Sequence, residues 1–280
     1  MDKDQVKPYS RHLLPNLYSI DVMAAATSSA MVSPFIAIVD RSIIENMNGK
    51  RTLGKGIIFG ARQFLTTPYQ FIKSSQFRLV FGLYFSTYIT ANIVDTTAEY
   101  NNISTNQTSF IKFIATTAVN MSLCMYKDKS FTRMFGNATT SAAVTKSFPK
   151  MSYFLFALRD CLTVAASFNA PHYISHYLQQ QSTYWEKYPE RSGMVSQLIC
   201  PAFVQFFSTP IHLMALDLYN RPALHLSQRV QLIQKEYFKS ALARIGRIGP
   251  AFGFGGIGNT WIRKHRSLYI ESKANTPQSI

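Results

Sequence analysis

Acidic residues are scarce. The 280-residue chain has 14 Asp and Glu against 29 Lys and Arg, a formal net charge of +15. Charged residues of both signs make up only 15%, where a soluble domain carries about 25%. That depletion argues against a soluble globular domain and for segments that shed charge because they lie in lipid. Nucleic-acid binders also carry a high positive charge, but they cluster Lys and Arg on one soluble module. Here the basic residues fall in three patches between apolar segments, and no nucleic-acid partner is expected.

Cysteine is nearly absent. Cys124, Cys161 and Cys200 stand far apart in apolar runs, which leaves neither a disulfide framework nor a zinc-ligand spacing. They read as small packing hydrophobes. Met1 to Pro15 is polar, without the apolar stretch of a secretory signal or the Arg- and Ser-rich pattern of a transit peptide, so any targeting signal is expected inside the chain. Also missing is a clean run of about 18 apolar residues, the mark of a strongly hydrophobic transmembrane helix. Mean hydropathy is −0.01, so polar loops or a polar interior must dilute the apolar helices.

What is present is a set of six moderately apolar segments, all expected as helices: Ile20 to Asn46, Leu79 to Val94, Phe110 to Tyr126, Met151 to Ile174, Met194 to Leu216, and Ile248 to Trp261. Each is interrupted by small or polar residues, as in helices that line a wet cavity. Gly49 to Arg78 holds six basic residues and no acidic one. Lys127 to Lys150 holds five against Asp128, and Asp217 to Arg247 six against Asp217 and Glu236. The loops after the second and fourth segments are nearly balanced. Such alternation is the positive-inside pattern of a multi-span protein with both termini on one side.

An internal repeat is the next signal. An offset of 88 places Pro210 on Ser122, Arg221 on Arg133 and Arg247 on Arg159. Pro34 lies 88 before Ser122, while Arg78 lies 81 before Arg159, so the first copy carries a longer connection. Each copy reads as an apolar helix, a basic amphipathic segment, then an arginine opening a second helix.

At these residues the chain resembles the mitochondrial carrier family over roughly residues 15–270. The resemblance implies an all-α membrane domain covering residues 1–280. Six transmembrane helices would form three pseudo-threefold repeats, approximately 15–107, 108–192 and 193–270, around a central cavity, with short amphipathic helices in the matrix loops. It also implies a monomer in the mitochondrial inner membrane (the outer membrane being the alternative) with cardiolipin at the basic loops. Parallel repeats around an axis along the membrane normal would put the substrate where they meet. The family signature, Pro-x-Asp/Glu-x-x-Lys/Arg at the end of each odd helix, is only partly kept. Pro34 is followed by Ile36 and Val39 at the charged positions. Ser122 and Cys124 replace the second proline and acid, and Lys127 keeps the base. Pro210 is followed by His212 and Ala215. Pro34, Ser122, Lys127 and Pro210 are thus expected to mark the helix kinks and gate, without the usual ring of paired charges.

Arg159-Asp160 is the sharpest candidate for substrate binding, because a charged pair within an apolar helix is costly unless it faces water or partners. Arg247 and Arg78 occupy the related positions on the sixth and second helices. Arginines in a low-dielectric cavity would hold a carboxylate through bidentate hydrogen bonds; packing between helices or reaching to the interface is the plainer role for them. Other motifs are weaker. Gly253-x-Gly255-x-x-Gly258 lacks the preceding strand of a dinucleotide site and reads with Gly249-x-x-x-Gly253 as close helix packing. His172 and His176 have no third ligand for a metal and lie among tyrosines suited to an interface. Asn102 and Asn106 match glycosylation acceptors. No nucleophile, phosphate loop or carboxylate dyad points to an enzyme, and no cofactor or metal is called for. The expectation is a carrier of a small anionic or zwitterionic metabolite. The alternative is a carrier-fold scaffold that has lost transport.

Overall fold

The computed structural model describes residues 10–135, 149–168, 170–221, 224–251, 255 and 258–274, and the regular structure among them is helical throughout. A 3₁₀ turn at Arg11–Leu13 leads into α1 (Leu14–Met47). Two shorter helices, α2 (Leu53–Thr66) and α3 (Pro68–Lys73), connect to α4 (Ser75–Tyr100), and α5 (Thr105–Phe135) follows. Next come α6 (Lys150–Phe168), α7 (Ala170–Gln181), α8 (Thr183–Lys187) and α9 (Pro189–Asn220). Then come α10 (Leu226–Gly246), the single turn α11 (Ile248–Pro250) and α12 (Gly258–Ala274).

The breaks between helices follow from local chemistry. Helix α1 stops where Gly49 adopts φ 68° and the Lys50 amide returns to the Glu45 carbonyl at 2.9 Å, a left-handed cap that glycine adopts without steric cost. Asn102, at φ 52°, ends α4 the same way, with the Ile103 amide on the Ala98 carbonyl at 2.9 Å. The candidate glycosylation residue Asn102 therefore serves as a cap.

Several expected boundaries move. The basic stretch after α1 is itself helical, forming α2, α3 and the start of α4. Helix α5 runs on to Phe135, so Lys127 and Asp128, expected in a loop, are buried helical residues. The expected fourth helix is two helices, α6 and α7. Among the described residues, three helical stretches are long and apolar enough to cross a membrane: Arg11–Met47, Ser75–Tyr100 and Pro189–Asn220. They coincide with the first, second and fifth expected spans. Helix α5 is diluted by Thr, Asn and Lys, and α6 is interrupted by Arg159 and Asp160. The connecting segments differ among the three expected copies: two short helices after α1, and one 21-residue helix after α9.

The long helices form a ring. Helix α1 packs on α4, α4 on α5, α5 on α6, and α6 on α9, while α12 returns to α1. Polarity is partitioned inside out. Met23, Phe35, Phe154, Phe203 and Phe207 are exposed, whereas Asp21, Ser28, Ser29, Ser33, Arg159, Gln205 and Arg244 are buried. A soluble bundle would hide the first set and expose most of the second. A lipid exterior accounts for both. Apolar packing remains where helices touch, in a cluster that includes Val32, Ile36, Phe71, Phe131, Phe156, Leu213 and Leu216.

Small residues permit the closest approaches. A Cβ on Gly60 would lie 2.9 Å from Ile38 Cγ2, and one on Gly56 would lie 3.0 Å from Ser42 Cβ. This Gly-x-x-x-Gly face seats α2 on the end of α1. Of the other such pair, Gly249 and Gly253, the second lies outside the described residues. Pro34 and Pro210 sit within helices that continue past them. Pro210 supplies no amide to the Phe206 carbonyl four residues back. Instead, Tyr237 of α10 donates its hydroxyl to that carbonyl at 2.9 Å, so the proline defect becomes the attachment point for α10.

Candidate functional site

Inside the ring lies a cavity of about 320 Å³ lined from α1, α4, α5, α6, α10 and the turn after it. At one end is a chain of charges of alternating sign. Arg247 donates to Asp40 at 2.5 Å, and Asp40 also accepts from Lys127. Lys127 reaches Asp128 at 2.7 Å, Asp128 accepts from Arg159 at 2.7 Å, and Arg159 meets Asp160 at 2.5 Å. Three cations and three carboxylates thus join α1, α5, α6 and the segment after α10. Arg159 also donates to Nδ1 of His212 on α9 at 3.0 Å and approaches Cys124 Sγ at 3.3 Å. Breaking one buried pair leaves a charge uncompensated, which costs far more than the intact pair contributes, so the chain is strongly specified as a unit.

Arg244 stands outside this balance. It is 2% exposed, lines the cavity, and donates to Gln205 Oε1 at 3.0 Å and Ser208 Oγ at 3.3 Å, both neutral. No carboxylate pairs with it among the described residues. Asp160 presents the complementary defect. One oxygen is taken by Arg159, while Oδ2 is buried without a hydrogen-bond partner. The remaining wall is uncharged and mixes apolar side chains such as Ile36, Leu83 and Val164 with hydroxyl and amide groups. Asn120 donates to Thr87 Oγ1 at 3.2 Å, and the Thr117 hydroxyl is buried without a partner.

A second network lies nearer the other end of α1. Asp21 accepts from Arg263 at 2.9 Å and from Thr96, and Arg263 also reaches Asp95 at 3.1 Å. Asp95 in turn holds Lys112 at 2.9 Å, and Asn92 exchanges hydrogen bonds with Asn259 at 2.9 and 3.0 Å. Asp21 and Asp40 lie on one helix, so its rise of 1.5 Å per residue separates the networks by about 28 Å. The cavity residues of α4 and α5 fall between them. On α5 the order is Lys112, then Thr116 to Cys124, then Lys127 and Asp128.

Of the residues expected to bind substrate, Arg159, Asp160 and Arg247 line this cavity together. Arg78 does not; it is exposed at the start of α4, bonded at 3.5 Å to Ser75 one turn earlier. Among the expected gate residues, Lys127 is in the charge chain. Pro34 is buried in α1, Pro210 is half-buried in α9, and Ser122 is exposed on α5 with its hydroxyl on the Ala118 carbonyl at 2.8 Å. His176 is exposed on α7, and the side chain of His172 lies outside the described residues.

Arg244 belongs to the site and escapes sequence reasoning, which also gives no role to Asp40 and Asp128, just after the signature positions, or to His212, at one of them. Spacing holds a signal for some of them. Cys124, Asp128 and Phe131 share one face of a continued α5, and Arg244 precedes Arg247 by one turn of α10. The expectation that paired charges would be missing is corrected: Asp40 and Asp128 supply the acids from positions just beyond the signature.

Among known proteins, residues 24–267 match the family model described as "Probable citrulline exporter". No curated protein matches, and no solved structure matches. No mitochondrial carrier model matches either, so the resemblance to that family is corrected. Its basis is narrow, since an offset carried by one proline and two arginines, together with charge alternation, suits any multi-span helical protein with basic loops. With it goes the ground for a mitochondrial location. The match spans most of the length, and the chain belongs to the probable citrulline exporter family.

Proposed function

We propose that the chain moves a small amino-acid-type metabolite across a membrane by alternating access, with the central cavity as its binding site. The observation that carries this reading is a cavity with buried charged groups at one end, enclosed by helices whose outward faces are apolar. Two ionic networks flank it, and each ties together helices that would have to part for solute to pass on that side. The description of the family names citrulline, which makes this the first solute to test. In the full reading six segments cross the membrane: α1, α4, α5, α6 with α7, α9, and the stretch from α11 through α12. The basic, partly apolar surfaces of α2 and α10 would then lie at the interface against anionic lipid.

A non-transporting scaffold draws its support from missing gate charges. The continuous chain from Arg247 to Asp160 removes that support.

Reconstitution into liposomes tests the proposal. Uptake of labelled L-citrulline into vesicles preloaded with unlabelled solute is expected with the natural protein. Loss of uptake is expected in Val164→Trp, which fills the cavity from α6. Equal uptake in protein-free vesicles, or unchanged uptake in Val164→Trp, would sink the reading.

A further inference from the structure

Resting on the reading of the cavity as a transport site, we infer that it selects a zwitterionic α-amino acid with an uncharged, hydrogen-bonding side chain, held by Asp160 at its ammonium and Arg244 at its carboxylate.

The argument starts from what the charge chain leaves over. Arg247, Asp40, Lys127, Asp128, Arg159 and Asp160 balance in sign and pair with one another. Arg159 and Arg247, the arginines suggested first by sequence, are thus already engaged with protein carboxylates. Among the described residues Arg159 keeps one buried N–H, at Nε, without a partner, and two further charged groups are left incomplete. Asp160 Oδ2 is buried with no donor, and the Arg244 guanidinium is buried on neutral partners alone. Buried groups of this kind are costly to leave unpaired, and both line the same cavity. A ligand with an ammonium and a carboxylate completes each with a charge-assisted hydrogen bond. A simple carboxylate would complete only Arg244, and a simple amine only Asp160.

The rest of the lining sets the side chain. Thr87, Asn120 and Thr117 offer neutral donors and acceptors, with one hydroxyl still free. They suit an amide- or ureido-bearing side chain. Among the described residues a second cationic group would meet no free carboxylate there, and a second carboxylate no free cation. Discrimination follows from leaving buried polar groups unpaired when the wrong ligand binds.

Thermal stability of the purified, detergent-solubilised protein reads this directly, because a ligand of the folded state raises Tm by mass action. L-Citrulline is expected to raise Tm. Its amine-lacking analogue 5-ureidopentanoate, its carboxyl-lacking analogue N-carbamoylputrescine, and L-arginine are each expected to give no shift at the same concentration. Asp160→Asn and Arg244→Gln should each need roughly tenfold more citrulline or worse for the same shift, the loss of one charge-assisted bond. Arg244→Lys should recover part of it. The comparison of analogues on the natural protein stands without any variant, so misfolding cannot mask the result. Shifts by either truncated analogue equal to that of citrulline would overturn the inference. So would unchanged citrulline dependence in folded Asp160→Asn and Arg244→Gln. If liposome uptake is intact and blocked by Val164→Trp in that case, the transport reading survives and only the assignment of poles fails. A flat response to every ligand, with no uptake, would end both.

Discussion

Arg247 donates to Asp40 at 2.5 Å across 207 residues of sequence, joining the end of α10 to the last third of α1. Asp40 is also the only carboxylate shared by Arg247 and Lys127 among the described residues; Lys127 has Asp128 as a second partner, whereas Arg247 pairs with Asp40 alone. Asp40→Asn should lower stability by roughly 3 kcal/mol, the cost of stranding a buried charge. Arg247→Gln alone should cost less, because Lys127 still pairs with Asp40. A double-mutant cycle on the pair, read by thermal melting in detergent, should show clear coupling. Additive losses would mean the pair does not act as a unit.

Tyr237 and Pro210 are coupled through one carbonyl. Tyr237→Phe should cost about 1 kcal/mol, a typical net hydrogen bond. In a Pro210→Ala background the same change should cost much less. The substituted alanine would supply the amide that the Phe206 carbonyl lacks, provided the local helix closes. Melting temperatures of the four proteins decide it, and equal losses in both backgrounds would disprove the relay.

Gly255 has no room for a side chain. An added Cβ would stand 2.2 Å from Tyr88 Oη and 2.8 Å from Val32 Cγ2. Gly255→Ala should therefore destabilise by about 1–3 kcal/mol, the range for overpacking. Tyr88→Phe in the same chain should restore part of the loss by removing the nearer atom, while the clash with Val32 remains. Full tolerance of Gly255→Ala would show that α4 can draw back freely.

Arg263 is the bridge of the second network. Arg263→Gln removes its charged contacts with Asp21, which is buried, and with Asp95. Amide exchange across α12 should quicken relative to α9, since the arginine ties α12 to α1 and α4. Uniform change across all helices would point instead to global destabilisation.

Much of the architecture is legible in sequence because lipid and water impose periodic, local demands. Low acidity, three basic patches and interrupted apolar segments are enough to indicate a helical membrane protein. Arg159 and Asp160 stand out because charge within an apolar helix requires a reason. The carrier resemblance misleads because proline and arginine offsets report helix spacing, which many bundles share.

What sequence could not decide is pairing. Lys127 and Asp128 sit at the end of an apolar run, where a helix that continues and a loop that begins look alike. Asp40 meets Lys127 and Arg247 from 87 and 207 residues away. Whether a cation is compensated depends on which helices close around it. Only the closed ring shows that Arg159 and Arg247 are already matched with carboxylates, while Arg244 rests on neutral partners and one oxygen of Asp160 has none.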